Sequence, residues 1–418
     1  MIVEHLNLGD FRNYATADLT LHRGPNVLVG SNGQGKTNLA EAIVFLATLG
    51  SHRVSSDAPM VRDGKEFAVV RARLAHGERK VLVEVQLNRQ GSNKARINGS
   101  PSKTNELPRY AHVVLFAPED LQIVRGDPSS RRRFADQLLI QRTPRMAGVI
   151  ADYERVLRQR TALLKSARAR GVRGEGLSTL DVWDDKLISL GSEIIHARLR
   201  LASDLQGPLA EAYTAIAGAD HRPQLEWALS VRGGDPEEGD PSTDSGTEDG
   251  PVRGEIEEQF RAALQAKRSK EIERGLTLVG PHRDDLILRV RDLPVKGYAS
   301  HGESWSVALA LRLASAELLR AESPAGDPVL ILDDVFAELD ADRRERLAAI
   351  TSGYEQVIVT AAVEGDIPEP LHRHVVRIHA GTISDERPSS RSARSGTEDD
   401  LGSAGPGEET ADDGPAAS

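Results

Sequence analysis

A glycine-rich octapeptide near the start of the chain has the composition of a phosphate-binding loop. Residues 30–37 read GSNGQGKT and fit the pattern G-x-x-x-x-G-K-[ST]. A short apolar run precedes them and a helix-periodic pattern follows from Leu39, which predicts a strand, a loop and a helix. Glycines let backbone N–H groups turn towards phosphate oxygens, and the start of a helix adds its positive end.

We expect this loop to bind a nucleotide together with Mg²⁺. Lys36 offers a point charge for the β- and γ-phosphates, and the Thr37 hydroxyl offers a ligand for Mg²⁺. Arg53, just after the predicted helix, is expected to approach the same nucleotide. The predicted nucleotide-binding residues are Gly30, Ser31, Asn32, Gly33, Gln34, Gly35, Lys36, Thr37, Asn38 and Arg53.

Two adjacent carboxylates end an apolar strand far along the chain. Residues 328–340 read PVLILDDVFAELD, in which Asp333 is placed to hold Mg²⁺ and Asp334 to orient an attacking water. Phosphoryl transfer needs a metal clamp and a positioned nucleophile, and this pair offers both. The predicted catalytic residues are therefore Lys36, Asp333 and Asp334, and the predicted metal ligands are Thr37 and Asp333.

A second helix start could also recognise phosphate. Ser300 and Gly302 begin the segment SHGESW, which opens an amphipathic helix running to Arg320. A simple helix cap is the alternative. Because the chain already has one phosphate loop, the second surface makes sense if it binds the γ-phosphate of ATP held by another copy, which predicts an ATP-dependent homodimer. The predicted contacts in trans are Ser300, Gly302, Glu303 and Asp340.

Composition limits the class of protein. The chain has no cysteine, so disulfide frameworks and cysteine metal sites are excluded. No apolar run approaches the ~20 residues that cross a bilayer, and the N-terminal residues MIVEHLNLGDFRNY do not resemble a signal peptide. We therefore predict a cytoplasmic protein without a membrane partner.

The net charge of −10 is concentrated in two segments. Residues 233–250 hold seven acids and no bases, and residues 384–418 hold nine acids and three arginines. Both are poor in apolar residues, which predicts disorder, with an acidic partner-binding segment as the alternative. The rest of the chain carries a charge of +3, which permits a nucleic-acid partner.

The pattern of elements predicts an α/β protein: a P-loop ATPase head assembled from both chain ends, with an inserted helical lobe. Alternating or apolar strand patterns occupy both ends, whereas 129–217 and 255–274 have helical periodicity. The predicted division is 1–128 for the N-terminal part of the head, 129–275 for the lobe with its acidic insertion, 276–382 for the C-terminal part and 383–418 for the tail.

The chain resembles the ATP-binding-cassette ATPases in the order of its motifs, which are the phosphate loop, the serine signature, the acidic strand and the Glu-Leu-Asp segment. The intervening segments resemble the bacterial RecF family of recombination-repair proteins. The matching stretches are LGDFRNY (8–14), GSNGQGKTNLAEAI (30–43), GSHR (50–53), INGSP (97–101), FAPEDLQIVRGDPSSRRRFAD (116–136), GPHRDDL (280–286), YASHGE (298–303) and LILDDVFAELD (330–340).

This resemblance implies a DNA-binding ATPase of DNA repair, replication, recombination and the SOS response. ATP would close a dimer around duplex or gapped DNA or a single-strand/double-strand junction. The protein would act with RecR and RecO to load RecA, and slow, DNA-dependent hydrolysis would reset the dimer. The signature departs from the family's frequent S-Q-G-Q-Q-R, and the strand at 357–360 lacks the switch histidine of transporter ATPases.

Two alternatives stay open at this point. A nucleotide-gated scaffold with negligible hydrolysis fits because Asp334 replaces the more usual glutamate. Another ATP-binding-cassette ATPase subunit is the second. A transporter subunit fits poorly, because its signature usually follows the phosphate loop by roughly a hundred residues, whereas Ser300 follows Thr37 at a much greater distance.

Basic residues in the predicted lobe are candidates for DNA contact. Arg131, Arg132 and Arg133 follow an apparent helix start, with internal salt bridges as the alternative. The next helix carries bases that fit either a DNA-binding or a solvated face: Arg155, Arg158, Lys165, Arg168, Arg170 and Arg173. Aromatic residues are 4% of the chain, so contact with the duplex backbone is favoured over base stacking. Asp284 and Asp285 are interpreted as structural or interface residues rather than metal ligands.

Overall fold

A computed structural model of the chain describes residues 1–54, 56–171, 178–233, 253–323 and 326–385. Most of the two acidic segments, and Arg173, lie outside the described residues. The strands are β1 Ile2–Phe11, β2 Tyr14–Thr20, β3 Gly24–Val29, β4 Phe67–His76, β5 Arg79–Asn88, β6 Lys94–Ile97, β7 Ser100–Ser102, β8 Val113–Phe116, β9 Gln224–Ala228, β10 Asp285–Val290, β11 Leu293–Pro294, β12 Val329–Asp333, β13 Gln356–Ala361, β14 His374–His379 and β15 Thr382–Asp385. The helices are α1 Lys36–Thr48, α2 Leu121–Arg125, α3 Pro128–Arg142, α4 Arg145–Ala169, α5 Ser178–Ala217, α6 Arg253–Arg274, α7 Val295–Tyr298, α8 His301–Glu322 and α9 Ala341–Thr351.

The central sheet joins both ends of the chain. Its order is β15-β14-β3-β13-β12-β8, and every pair except β14–β15 is parallel. Strand β13 lies between β3 and β12, with Val359 opposite both Val27 and Leu332. The carboxyl ends of β3 and β12 therefore lie at one edge of the sheet, where open α/β sheets bind ligands. The predicted α/β head with a sheet assembled from both chain ends is confirmed.

The apolar strands of this sheet are buried on both faces, as parallel strands usually are. Successive residues contribute to two different cores: Val27 and Leu332 face one, and Leu28 and Ile331 face the other. The first core continues into α3, α5 and α8, and the second continues into α1 and the N-terminal strands. Helix α1, which begins inside the phosphate loop, is thus fixed between two sheets.

The second sheet is antiparallel, in the order β2-β1-β4-β5-β6-β7. In β4 the residues Ala68, Val70, Ala72 and Leu74 are buried, and those between them are more exposed, which is the alternation expected of a half-buried strand. Asn98 and Gly99, both with positive φ, form the turn between β6 and β7. The alternating strands predicted in the N-terminal part of the chain are confirmed. Their separation from the parallel sheet was not predicted, since local patterns carry no information on which strands pair.

The predicted lobe contains α3 to α6 and β9, and β9 pairs with the later strand β10 in a small sheet of order β11-β10-β9. The helical prediction for 129–217 is confirmed, apart from residues 172–177, which lie outside the described part of the chain. At its centre the buried Arg160 pairs with Asp184 and Glu271, each at 2.6 Å. Strand β9 was not predicted. Contacts group the chain up to Glu386 into one compact unit, so the boundaries proposed between head and lobe stay a prediction.

No helix in the described residues is both long enough and apolar enough to cross a membrane.

Candidate active site

The phosphate loop leaves no room for side chains at two of its glycines. Gly35 has a φ of 111°, and a Cβ there would lie 2.6 Å from the Tyr14 hydroxyl and 2.8 Å from Asn13 Nδ2. A Cβ on Gly30 would lie 2.2 Å from the carbonyl oxygen of Ile378. The loop is therefore packed between the start of β2 and the end of β14, which fixes the direction of its backbone N–H groups.

Lys36 is buried and turned into the loop. Its Nζ donates hydrogen bonds to the carbonyl oxygens of Gly30 at 2.8 Å and Ser31 at 3.3 Å. Within the described residues it has no carboxylate at ion-pair distance. A phosphate oxygen would be a stronger partner for this cation than carbonyl dipoles are. The lysine therefore lies inside the loop, and its contact with phosphate stays a prediction.

Asp333 receives two hydroxyl hydrogen bonds at the end of β12. The donors are Thr37 at 3.1 Å and Thr360 at 2.6 Å, both to Oδ1. Burial is the main cause that raises the pKa of Asp333 to about 6; the Thr360 hydrogen bond opposes this and the charge of Asp334 adds to it. The predicted metal ligands Thr37 and Asp333 are brought together, and their hydroxyl and carboxylate oxygens are the donors that Mg²⁺ prefers. The site therefore fits the ion.

Asp334 has a backbone conformation that is unusual for a residue other than glycine. Its φ is 51°, and its N–H donates to the Thr360 hydroxyl at 3.0 Å. Its side chain is half-buried, and burial raises its pKa; Lys36 lowers it and Glu119 raises it further. A carboxylate of raised basicity at the strand end is suited to hold and deprotonate a water molecule.

A polar network surrounds the loop and the first turn of α1. Asn38 Nδ2 donates to Asn13 Oδ1 at 2.8 Å, and Asn13 Nδ2 donates to the carbonyl of Gln34 at 3.2 Å. Arg53 donates to Asn38 Oδ1 at 2.9 Å. The predicted residues Gln34, Asn38 and Arg53 therefore lie together beside Lys36. Asn32 is exposed at the loop tip.

Buried Glu41 anchors this network to the body of the protein. Arg12 donates to both of its oxygens, at 2.8 and 2.6 Å, and Ser51 donates to one of them. Burial alone would raise the pKa of Glu41, but hydrogen bonds from Arg12 and Ser51 lower it overall. The ion pair fixes α1 against the strand that leads to Asn13 and Tyr14.

The second predicted phosphate surface lies at the start of α8. Ser300 Oγ accepts a hydrogen bond from the Glu303 N–H at 3.2 Å, and Glu303 Oε2 accepts one from the Ser300 N–H at 3.0 Å. This is a capping box, so the simpler helix-cap interpretation is also correct. Ser300 remains exposed. Its hydroxyl also lies beside the Glu303 carboxylate and helps to lower the pKa of that group.

Arg343 joins this surface to the predicted contact Asp340. It pairs with the Asp340 carboxylate, and its Nε donates to Ser306 Oγ at 3.1 Å. Its guanidinium also packs against Gly302, since a Cβ there would lie 3.1 Å from Nη2. The four predicted trans residues therefore form one cluster, at the starts of α8 and α9.

Sequence and structure comparisons identify the family of this arrangement. The family model described as "RecF/RecN/SMC N terminal domain" matches residues 2–379. The DNA replication and repair protein RecF of Clavibacter sepedonicus is 58% identical over 408 residues, covering 97% of this chain and all of that protein. The chain belongs to the RecF family. A RecF protein of Leifsonia xyli is 59% identical over 383 residues, covering 92% of this chain and 99% of its own.

Solved RecF structures share the fold. "Structure of the recombination mediator protein RecF-ATP in RecFOR pathway" aligns with a TM-score of 0.80 and 26% identity, covering 92% of this chain and 97% of the other. The corresponding RecF-ATPrS structure aligns with the same TM-score and 25% identity, covering 92% and 98%. The resemblance to the RecF family stated from the sequence motifs is thus confirmed.

One prediction about the basic residues of the lobe is wrong. Arg131 was expected to contact DNA, but it is buried and donates to both carboxylate oxygens of Asp285, at 2.6 and 2.9 Å. The alternative, an internal salt bridge, is correct. Arg132 is half-buried and donates to the Asp284 carbonyl at 2.7 Å, whereas Arg133 is exposed. The three arginines therefore have three different environments.

Asp284 of the GPHRDDL segment is held by contacts within the fold. Asp284 is buried and accepts hydrogen bonds from the Ser230 N–H and hydroxyl, both at 2.8 Å, and burial raises its pKa to about 6. In the part of the chain that the structure describes, no group of three or more His, Cys, Asp or Glu side chains could hold a metal ion.

Several residues that shape the site were not predicted from the sequence. Thr360 ends a predicted strand beside β12, so its position could have been inferred from the parallel pairing. Arg343 lies three residues after Asp340, a spacing typical of a helix cap. Arg12 and Glu41 are far apart in sequence, and no local signal pairs them.

Proposed function

We propose that the chain is an ATP-driven DNA-binding switch in DNA replication and recombinational repair. The observation that carries this proposal is the division of the phosphate-recognising groups. Lys36, Thr37 and Asp333 form a buried cluster, and Ser300 and Asp340 form an exposed one. Because the second cluster is exposed, it supports a contact between this cluster and ATP that is bound to another copy of the chain. The names of the RecF relatives support the role in replication and repair.

ATP binding begins when Lys36 exchanges its hydrogen-bond acceptors in the loop. Lys36 leaves the carbonyls of Gly30 and Ser31 and takes the β- and γ-phosphates. Thr37 and Asp333 would hold Mg²⁺, which when bound neutralises charge on the phosphates. Asp334 orients the attacking water and accepts its proton. Arg53 and Asn38 complete the polar wall beside the nucleotide.

The second copy supplies the other half of the site. The exposed Ser300 hydroxyl, which in this structure lies beside the Glu303 carboxylate, would donate to the γ-phosphate of the partner's ATP. Gly302 permits close approach of the backbone, and Asp340 borders the same surface. ATP therefore holds the dimer closed, and hydrolysis removes the group that joins the two copies.

Duplex or gapped DNA would bind the closed dimer through its phosphates. Exposed basic residues in the lobe support this, among them Arg133, Lys165 on α4, and Arg170 at the C-terminal cap of α4. These three have no ion pair within the described residues. The RecFOR pathway named in the related structures supports cooperation with RecR and RecO, and through them loading of RecA.

The scaffold alternative predicts that ATP binds but hardly turns over. It is favoured by one observation: Asp334 is a short side chain held in a left-handed backbone conformation, so its reach towards a water is limited. Family membership disfavours the other alternative, a different type of ATP-binding-cassette subunit.

Mass in solution and ATP turnover test the proposal together. The wild type is expected to be monomeric with ADP and dimeric with ATP, and gapped duplex should raise its turnover. Asp334→Asn should still dimerise with ATP but lose about 10²-fold in turnover, since the water loses its proton acceptor. Turnover by Asp334→Asn at the wild-type rate would contradict the assigned role, and negligible wild-type turnover with normal dimerisation would favour the scaffold.

A further inference from the structure

The carboxylate of Glu303, in the SHGESW segment, is bound by an arginine from outside α8. Arg291 Nη1 donates to Glu303 Oε1 at 3.0 Å, while Glu303 Oε2 accepts from the Ser300 N–H. The two oxygens of one carboxylate are thus divided between the Ser300 turn and an arginine. Hydrogen bonds from Ser300 are the main cause that lowers the pKa of Glu303, and Arg291 adds to the effect. Glu303 is therefore ionised when the surface meets a nucleotide.

Arg291 lies in a strained turn between β10 and β11. Arg291 and Asp292 have φ angles of 53° and 65°, values that residues other than glycine rarely adopt. An ion pair between Asp292 and Arg222 at 2.9 Å holds one side of the turn. Strained backbone persists where surrounding contacts define it and is concentrated at functional sites.

The other side of Arg291 contacts the lobe. Its N–H donates to the His221 carbonyl at 2.8 Å, and its Nη2 lies 3.0 Å from the His221 ring. The His221 ring in turn contacts the Tyr213 hydroxyl at 3.1 Å, on α5. A continuous chain of polar contacts therefore runs from Glu303 through Arg291 and His221 to the end of the longest lobe helix.

We propose that Arg291 is a positioning residue of the trans nucleotide surface and connects that surface to the lobe. It balances the charge of Glu303, which would otherwise repel the γ-phosphate of ATP on a second copy, and it fixes the carboxylate that shapes the Ser300 turn. This inference rests on the proposed ATP-driven dimer. Engagement of the partner's ATP is thereby linked to α5, the helix that packs along α8.

The test is a double-mutant cycle that compares dimer dissociation constants. They are measured by analytical ultracentrifugation of the full chain with ATP and Mg²⁺, in the Asp334→Asn background. Arg291→Met should raise the dimer dissociation constant about tenfold. Glu303→Gln should change it by less than about threefold, and adding Arg291→Met to it should have little further effect. The deficit of Arg291→Met should shrink as salt is raised.

Arg222→Met is the matched control. It removes the positive charge that pairs with Asp292 of the same turn but no contact with Glu303, so its dissociation constant should stay within about twofold of wild type. Binding of a fluorescent ATP analogue by the monomer and the melting temperature check each variant for folding. If Arg291→Met does not fold, Arg291→Lys and Arg291→Gln carry the comparison: the lysine variant should dimerise normally and the glutamine variant weakly.

The outcomes separate this inference from the proposed function. Dimerisation of Arg291→Met at the wild-type affinity, an equal loss with and without Glu303→Gln, or equal affinities of the lysine and glutamine variants would overturn the role of Arg291 and leave the dimer intact. A wild type that stays monomeric at saturating ATP would overturn the dimer and the inference together.

Discussion

The two helix starts that we propose recognise phosphate, at α1 and α8, differ in burial and in the sign of the pKa shifts of their carboxylates. At α1 both Lys36 and Asp333 are 3% exposed, and burial raises the pKa of Asp333. At α8 the side chain of Glu303 is 27% exposed and that of Asp340 at the neighbouring helix is 52% exposed. Hydrogen bonds lower the pKa of both Glu303 and Asp340.

This difference indicates two kinds of site. Buried charges without a strong partner are unfavourable until a ligand arrives, so the α1 cluster stores unfavourable energy that a nucleotide and its metal ion relieve. Exposed, well-paired charges contribute little to stability and remain accessible to a partner. The first surface is therefore built to enclose a ligand, and the second to meet another molecule.

The largest effect should come from the buried surface. Lys36→Ala removes the point charge for the phosphates and should weaken ATP binding by the monomer by about a hundredfold or more. Equilibrium binding of a fluorescent ATP analogue measures this. Ser300→Ala serves as the control, because it alters the other surface and should leave monomer binding unchanged. Comparable losses in the two variants would show that the surfaces are not separate.

Ser300→Arg tests the exposed surface, where the expected loss is of dimerisation rather than of ATP binding by the monomer. The bulky cation at the start of α8 should block ATP-dependent dimerisation, raising the dimer dissociation constant at least about tenfold, while the monomer keeps its affinity for ATP. Sedimentation with ATP and with ADP measures the change. A variant that dimerises with ATP as the wild type does would contradict the assignment of Ser300 to a trans contact.

The opposite pKa shifts predict opposite effects of neutralising a carboxylate. Because the folded pKa of Asp333 is about 6, above the ordinary 3.8, the wild type loses stability as pH rises from about 4 to 6 and does not regain it above. Asp333→Asn should therefore raise the free energy of unfolding by about 1–3 kcal/mol at pH 8 and by much less at pH 4.

Urea unfolding in EDTA without nucleotide measures this pH dependence. Asp340→Asn is the matched variant on the exposed surface. Since the pKa of Asp340 is lowered, its charge contributes stability above its unfolded pKa that is lost as pH falls, so this variant should be slightly less stable at pH 8. Equal pH profiles for the wild type and Asp333→Asn would contradict the effect of burial at the α1 surface.

Much of the buried surface was predictable from sequence, because its residues are local. Lys36 and Thr37 belong to one octapeptide, and Asp333 ends a strand whose unbroken apolar run is typical of a parallel sheet. The bonds of Asp333 to Thr37 and Thr360 follow once the strand order is known. That order itself depends on pairing between distant segments and could not be read from any local pattern.

The exposed surface and the lobe were less predictable. Ser300 and Glu303 have the spacing of a capping box, but their tie to Arg291 depends on how β10 and β11 turn beside α8. Arg131 and Arg133 are two residues apart in a basic run, yet only the first is buried against Asp285. Strand β9 was missed because its five residues, QLEWA, follow a long helix and show no clear alternation.

The smallest expected effect concerns DNA and sharpens the contrast between buried and exposed arginines. Arg133→Glu should weaken binding of the ATP-bound protein to duplex about threefold to tenfold, because a phosphate contact is lost and a repulsive charge is added. For the same reason it should reduce the slope of log affinity against log salt by about 1–2. Fluorescence anisotropy over a salt series measures both quantities.

The control for Arg133→Glu is Arg79→Glu, which makes the same charge change at an exposed position on β5, in the antiparallel sheet. It should change the affinity less, since only the distant net charge is altered. Arg131 cannot serve, because removing it would leave Asp285 buried without its partner and would cost about 3–5 kcal/mol of stability. Equal losses from Arg133→Glu and Arg79→Glu would show that net charge, rather than the start of α3, governs DNA binding.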